Sequence, residues 1–479
     1  MFGNMKKSSF SLSVLIPVYN ELYTVDECIK RVLAVKSPYI SNIELVVVDD
    51  GSTDGTREIL RELQSKHSGQ LVYIEHKMNQ GKGAAIRTAI DNARNDICII
   101  QDADLEYNPN DYHRIMVPFV EADADAVFGS RFLVGDYARL LYYKHAIINR
   151  FLTFLTSIIT DINFTDMETC YKAVRTRLLK SIPIRSNGFD LEPEISIKLA
   201  KRGAHIFEVP ISYSGRTNEE GKKIGWKDGI KALGALIKYY FVDDIYKEDE
   251  YGSHILSGLS HAPKFSKWMA DAVRPYIGKR VLEIGAGIGN LTRYFIPRTR
   301  YTVSDIDINY LDYLRSYCKN KPYLEVKKVD LTRAEDFASL NEKYDTVICL
   351  NVLEHIEDDV AALRNIYSVL KSGDKVIVLV PQYEMLYSSL DKALGHIRRY
   401  SSKQLTKKLQ EAGFEIEQAI TDFNKIGVLS WIINGKILRR KHFSRIQLKI
   451  LNVFSGLFRL INSILPWGGL SVICVGKKI

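Results

Sequence analysis

A chain of 479 residues exceeds one typical core, so two or three domains are expected, and 46% apolar with 26% charged residues is a globular composition without low-complexity tracts. Six scattered cysteines with no CxxC pair exclude a disulfide framework or zinc site and indicate reduced thiols in a cytosolic protein. The formal charge of +9 belongs to the end: residues 1–423 hold 56 of the 66 Lys+Arg and all 57 Asp+Glu, and residues 424–479 hold the other 10 basic residues and no acid. That concentration in an apolar segment points to an anionic membrane surface and away from nucleic acid.

The first apolar run, SLSVLIPVY, reads as a short strand leading to Pro17 and not as a signal peptide. No apolar run reaches the roughly 18–20 residues of a membrane span. Residues 10–135 alternate apolar runs (SLSVLIPVY, IELVVVDD, LVYIEH, DICIIQDAD, ADAVFGSR) with amphipathic stretches such as TVDECIKRVLAV and GAAIRTAIDNAR. This is the pattern of a mainly parallel sheet covered by helices. The charged stretch DDIYKEDEYGS (243–253) breaks it, and the alternation restarts with KRVLEIG, YTVSDID, LEVKKVD, YDTVICLN, DKVIVLVP, FEIEQAIT and LSVICVGKK. Two α/β domains are therefore expected, over 1–245 and 263–479, joined by a linker at 246–262.

Ligands of open α/β sheets bind beyond the carboxyl ends of the strands. In the first domain those ends are acidic: Asp49 and Asp50 follow one strand, and Asp102, Asp104 and Glu106 follow another. Alternate residues of an extended backbone share a face, so the last three can converge on a hard divalent cation; a solvated acidic turn is the bland alternative. Together SVLIPVYNE, VVVDDGSTDGT, NQGKGAAIRTAI, QDADLE and GSR resemble the family 2 glycosyltransferases of GT-A fold across about residues 10–245. The resemblance implies that Pro17, Tyr19, Glu21, Asp49 and Asp50 cradle a nucleotide-sugar donor, with Lys82 among the donor-binding residues. It places Mg²⁺ or Mn²⁺ on Asp102, Asp104 and Glu106, and Arg131 opposite the phosphates, in a single inverting displacement. DMETCYKAVR, FDLEPEISIKLAKRG and PISYSGRTNEEGKKIGWKDG resemble the dolichyl-phosphate mannose synthase and polyprenyl-phosphate branch. Arg216, Lys222 and Lys223 either bind an anionic acceptor or form a basic loop. A polyprenyl phosphate needs no general base, whereas a sugar hydroxyl does, and Asp166 and Glu194 are the candidates for that role.

In the second domain VLEIGAGIGN lacks the third glycine of the nicotinamide fingerprint, because position 290 is Asn. Glu283, Gly285, Gly287 and Gly289 instead resemble motif I of class I S-adenosylmethionine-dependent methyltransferases. The resemblance puts Asp305 on the ribose, Asp330 near the adenine, and Asn351, Glu354 and His355 beside the methyl-transfer position. His355 is a candidate base, and Arg398 or Arg399 a candidate anchor for an acidic acceptor. No N-P-P-[YF] motif is present, which argues against nitrogen methylation of a base or amide. The order resembles a recognised type of fused glycosyltransferase and class I methyltransferase in bacteria, and a cell-envelope glycan is the expected substrate.

Residues 424–468 fall between the last two strands as an insertion. From Ser444 to Leu465 the polar positions recur in steps of three and four, which predicts a helix with a broad apolar face. That face either lies in a headgroup layer or packs on protein. The expectation is a cytosolic, membrane-peripheral enzyme that glycosylates polyprenyl phosphate or a lipid-linked glycan and methylates the product or a related glycan. The alternatives are the same activities on a soluble or polymeric glycan, or a non-catalytic scaffold.

Overall fold

The computed structural model describes residues 8–133, 143–215, 226–242, 245, 262–319, 321–340 and 343–479. Arg216, Lys222, Lys223 and nearly all of the expected linker lie outside the described residues. The chain forms two compact units, Met1–Lys247 and Glu248–Ile479.

The first unit is built on strands β1 (Phe10–Val18), β2 (Ile40–Asp49), β3 (Leu71–Glu75), β4 (Ile97–Ile100), β5 (Ala126–Ser130), β6 (Lys172–Arg175) and β7 (Ile206–Pro210). They lie in the order β3-β2-β1-β4-β6-β5-β7, with β6 antiparallel to both its neighbours. The runs SVLIPV and LVVVD are apolar on both faces because helices such as Val25–Leu33 and Lys82–Asn92 cover the sheet. The crossovers bring the ends of β1, β2 and β4 to one edge, and the acidic residues go with them.

The second unit contains β8 (Arg280–Ile284), β9 (Arg300–Asp305), β10 (Leu324–Lys328), β11 (Tyr344–Leu350), β12 (Leu370–Pro381), β13 (Phe414–Phe423) and β14 (Ser471–Lys478). Their order is β10-β9-β8-β11-β12-β14-β13, and only β14 runs antiparallel, wedged between β12 and β13. The two α/β folds expected from the alternating pattern are both present. All six cysteines are free and buried.

Between β13 and β14 the chain makes a helix at Lys425–Trp431, a π-turn at Ile432–Ile437 and a long helix at Arg445–Ile464. Ser444 caps the long helix, its hydroxyl accepting from Gln447 N–H while the Gln447 side chain accepts from Ser444 N–H. The orientation of this helix is a finding that its sequence did not settle. Its polar stripe faces protein: Asn452 accepts from Lys264 N–H at 2.9 Å, Asn462 from Lys425 N–H at 2.6 Å, and Arg459 pairs with Asp271 at 2.9 Å. Leu451 and Phe458 join the core beside it, while Val453, Leu457, Leu460 and Ile464 point outward, 51–78% exposed. No helix among the described residues is long and apolar enough to cross a membrane.

Candidate active sites

In the first unit, β2 ends on Asp49 and Asp50, both buried. Asp49 accepts from Arg57 Nε at 2.9 Å and from Ser52 N–H, and Asp50 accepts from the backbone N–H of Gln80 and Gly81 and meets His76 Nδ1 at 2.7 Å. The two carboxylates thus hold the 51–52 and 79–81 turns in place. Gly81 stands at φ +100°, where a Cβ would meet Asn187 O at 2.3 Å, so only glycine lets this turn close on residues 186–188. Tyr19 is exposed on the turn after β1, and Glu21 accepts from the Thr24 hydroxyl.

Beyond β4, Asp102 pairs with Lys82 Nζ at 2.9 Å, and the same ammonium pairs with Glu192 at 3.0 Å. Burial alone would depress the Lys82 pKa, but Asp102 and Glu192 outweigh it and hold the group well above its usual value. The three carboxylates take separate partners. Leu105 takes φ +65° and turns the chain, Asp104 accepts from Glu106 N–H, and Glu106 accepts from the Tyr213 hydroxyl at 2.7 Å. Glu106 lines a cleft of about 550 Å³ with Arg31 and Tyr213. Asp102, Asp104 and Glu106 do not form a set of ligand atoms mutually within 4.8 Å.

Arg131 and Asp166 form a two-pronged pair, Nε to Oδ2 at 2.7 Å and a terminal nitrogen to Oδ1 at 2.8 Å, with Arg131 N–H and Asn149 Nδ2 also donating to the carboxylate. Burial would raise the Asp166 pKa, yet the Arg131 guanidinium and these donors bring it below the ordinary value. A carboxylate so stabilised is a poor proton acceptor, so Asp166 is the partner of Arg131 and not a general base. Glu194, fully buried, pairs with Lys198 at 2.7 Å and accepts from the N–H groups of Arg185 and Ser186.

In the second unit, Gly285, Gly287 and Gly289 all have positive φ, and a Cβ on Gly285 would lie 2.3 Å from Val352 Cγ2. The turn after β8 therefore touches the segment after β11. Asp305 ends β9 and accepts from the N–H of Gly287 and Asp307, and burial raises its pKa. Glu283 supports the turn from beneath: its Oε2 accepts from Thr292 and Tyr301, and burial pushes its carboxyl up to about 7. Asp330 accepts from Thr332, and Asn351 is exposed at φ +56° where β11 ends.

Arg398 and Arg399 both make hydrogen bonds within the domain. Arg398 donates to Asp359 at 3.2 Å and to Glu357 O at 2.9 Å, while buried Arg399 donates to Asp391 at 2.7 Å and Gln382 O at 2.9 Å. The candidate base His355 is exposed, and its Nδ1 faces Gly395 O at 3.2 Å.

The glycosyl transferase family 2 model matches residues 13–182, and a methyltransferase domain model matches residues 263–419. The chain is a family 2 glycosyltransferase domain followed by a methyltransferase domain. The glycosyltransferase half is 27% identical over 244 residues to an uncharacterised protein of Methanocaldococcus jannaschii, covering 48% of this chain and 99% of that one. The chain is also 27% identical over 324 residues to the undecaprenyl-phosphate 4-deoxy-4-formamido-L-arabinose transferase of Shewanella sediminis, 62% of this chain and 92% of the relative. The methyltransferase half is similar to the crystal structure of an S-adenosylmethionine-dependent methyltransferase from Archaeoglobus fulgidus, with 20% identity, 47% of this chain, all of that one and a TM-score of 0.32.

Two features of the glycosyltransferase domain escaped the sequence. Glu168 and Glu192 each hold one buried carboxylate oxygen with no hydrogen-bond partner, and burial with the neighbouring Glu192 raises Glu168 to about 7. Both acids lie within DMETCYKAVR and FDLEPEISIKLAKRG, the stretches in which the sequence marks only Asp166 and Glu194 as candidates for chemistry. The helices Tyr143–Thr160 and Trp226–Phe241 pack together through Leu152, Leu236 and Tyr239 and expose Phe151, Phe154, Ile158, Ile237, Tyr240 and Phe241. In the methyltransferase domain the missed residue is Asp391, which binds His396, Arg399 and the Trp431 indole of the insertion at once.

Proposed function

We propose that the glycosyltransferase domain moves a sugar from a nucleoside-diphosphate donor to polyprenyl phosphate or a lipid-linked glycan, and that the methyltransferase domain uses S-adenosylmethionine on the product or a related glycan. The observation that carries the lipid acceptor is the outward apolar surface on each domain: Phe151, Phe154 and Ile158 on one, Val453, Leu457 and Leu460 on the other. Beside the latter, Lys436, Arg439, Arg440 and Lys441 are exposed around exposed Ile437 and Leu438. Outward apolar side chains ringed by cations suit an anionic headgroup layer. The relative's undecaprenyl-phosphate substrate supports the same acceptor class.

Asp102 and Asp104 fit a Mg²⁺ or Mn²⁺ ion as an oxygen-only pair, the remaining ligands being diphosphate oxygens. When bound, such an ion supplies positive charge to the departing nucleoside diphosphate. Lys82 orients Asp102, and the Arg131–Asp166 pair fixes a guanidinium at the end of β5. In the methyltransferase domain the backbone of Gly285–Gly289 and the carboxylate of Asp305 form the cofactor cradle, and methyl transfer then needs alignment and exclusion of water.

Flotation tests the surface. The purified chain is expected to rise with vesicles containing anionic lipid, and to lose roughly tenfold or more of that binding in Leu457→Glu/Leu460→Glu, each removed side chain contributing about 1.5–3 kcal/mol of apolar burial. Flotation of the double variant equal to the parent would remove this face from the account.

A second reading, a hydroxyl acceptor, is favoured by Glu168, whose carboxyl near 7 suits a general base. Its ionised form predominates above about 7, so transfer to a hydroxyl would rise with pH through that value and fall about 10²-fold or more in Glu168→Gln. With polyprenyl phosphate as acceptor, Glu168→Gln retains transfer.

A further inference from the structure

The methyltransferase domain contains a group of side chains that its cofactor cradle does not use. One ligand atom each of Glu354, His355 and His396 lies within 4.8 Å of the others. Glu354 is fully buried and neither of its carboxylate oxygens has a hydrogen-bond partner; the nearest cationic candidate, His396 Nε2, stands 3.7 Å away, beyond hydrogen-bond distance. A buried carboxylate left in that condition is costly unless something charged is bound to it.

The two histidines are already oriented as ligands. His396 Nδ1 lies 3.0 Å from Asp391 Oδ1, and His355 Nδ1 lies 3.2 Å from Gly395 O. Both partners accept only, so each Nδ1 carries the proton and each Nε2 keeps its lone pair. A carboxylate or carbonyl behind the distal ring nitrogen is the usual support of a metal-bound imidazole. Asp391 is itself fixed by Arg399, by the Ser388 N–H and by the Trp431 indole. Exposed His355 leaves an open approach from solvent.

We propose that Glu354, His355 and His396 bind a divalent transition-metal ion beside the methyl-donor cradle. Two imidazoles and one carboxylate suit Zn²⁺, Mn²⁺, Fe²⁺ or Co²⁺ better than Mg²⁺ or Ca²⁺. Donor atoms held at about 2.1 Å from one ion stand roughly 3–3.5 Å apart, so a small inward movement of the three side chains closes the set. Val352, which touches Gly285, ties the ion's position to the cofactor turn.

Three protein ligands leave coordination positions for substrate. They suit an acceptor hydroxyl flanked by a second oxygen, as adjacent hydroxyls on a sugar ring provide. With an ion held by these three residues, an acceptor hydroxyl would lose its proton to water as its oxygen attacks the sulfonium methyl carbon, the C–S electron pair returning to sulfur to leave a methyl ether and a neutral thioether. The ion itself is proposed independently of which acceptor the glycosyltransferase domain uses.

The full chain, stripped with chelator and loaded with one equivalent of Mn²⁺, is examined by electron spin-echo spectroscopy. Coupling to the nitrogens of two imidazoles is expected, falling to one in His355→Gln and in His396→Gln. The carboxylate pair Asp102 and Asp104 contributes no nitrogen, so an ion held there is silent in this readout. S-adenosylhomocysteine affinity within twofold of the parent certifies that each variant is folded, and exposed His355 is the variant least able to disturb the core. Each variant is also expected to weaken Co²⁺ binding at this site roughly tenfold or more. Absence of nitrogen coupling in the loaded parent, or coupling unchanged in folded His355→Gln, overturns the proposal.

Discussion

Replacing Asp166 with alanine is expected to lower the unfolding free energy of the glycosyltransferase domain by about 3–5 kcal/mol and to abolish sugar transfer with it. Arg131 is nearly enclosed, and without Asp166 its guanidinium would keep the stacking contact with Tyr213 but lose both prongs of its pair. The paired replacement Arg131→Leu/Asp166→Leu is expected to recover most of the stability, because apolar side chains replace a buried ion pair at little cost. Sugar transfer is expected to stay lost, by about 10²–10³-fold, since the guanidinium proposed to face the departing diphosphate is gone. Thermal unfolding and donor turnover of the three variants check this. A stable Asp166→Ala enzyme lacking only the acid limb of its pH–rate profile would restore Asp166 as a base.

Gly285→Ala is the corresponding test of the methyltransferase domain. The left-handed backbone at φ +71° costs a residue with a Cβ about 1–2 kcal/mol, and Val352 must also retreat from a contact of 2.3 Å. S-adenosylmethionine affinity should fall by about tenfold from the backbone term alone and further from the displaced loop. Methyl transfer is then lost while sugar transfer continues. Titration calorimetry with S-adenosylmethionine measures the first effect, and unchanged affinity would show that this turn does not hold the cofactor.

The folds were legible because both sheets announce themselves as short apolar runs separated by amphipathic helices, and because the order of glycine and acid at the strand ends is local in sequence. Strand β6 was not singled out: it has four residues, and one of them, Lys172, is a buried cation. The site residues were legible as positions but not as roles. Sequence shows that Asp166, Glu194, Arg398 and Arg399 are charged; only the fold shows that Arg131, Lys198, Asp359 and Asp391 neutralise them. Spacing puts Asp102, Asp104 and Glu106 on one face of an extended chain, and it does not show that Leu105 leaves the extended conformation between them. The inserted helix shows the same limit. Its periodicity gives the stripe and the face, and the hydrogen bonds of Asn452 and Asn462 decide which of them meets protein.

The lipid acceptor is tested most directly by product analysis. The full chain is incubated with Mn²⁺ or Mg²⁺, a panel of nucleotide sugars and a polyprenyl phosphate in anionic vesicles, and the organic extract is examined by mass spectrometry. The account predicts a new polyprenyl-phosphate sugar, gaining 14 mass units (about one CH₂) if S-adenosylmethionine is added and the same product is methylated. An organic phase without any glycosylated lipid, alongside nucleoside diphosphate released only when water-soluble glycans are supplied, would contradict it.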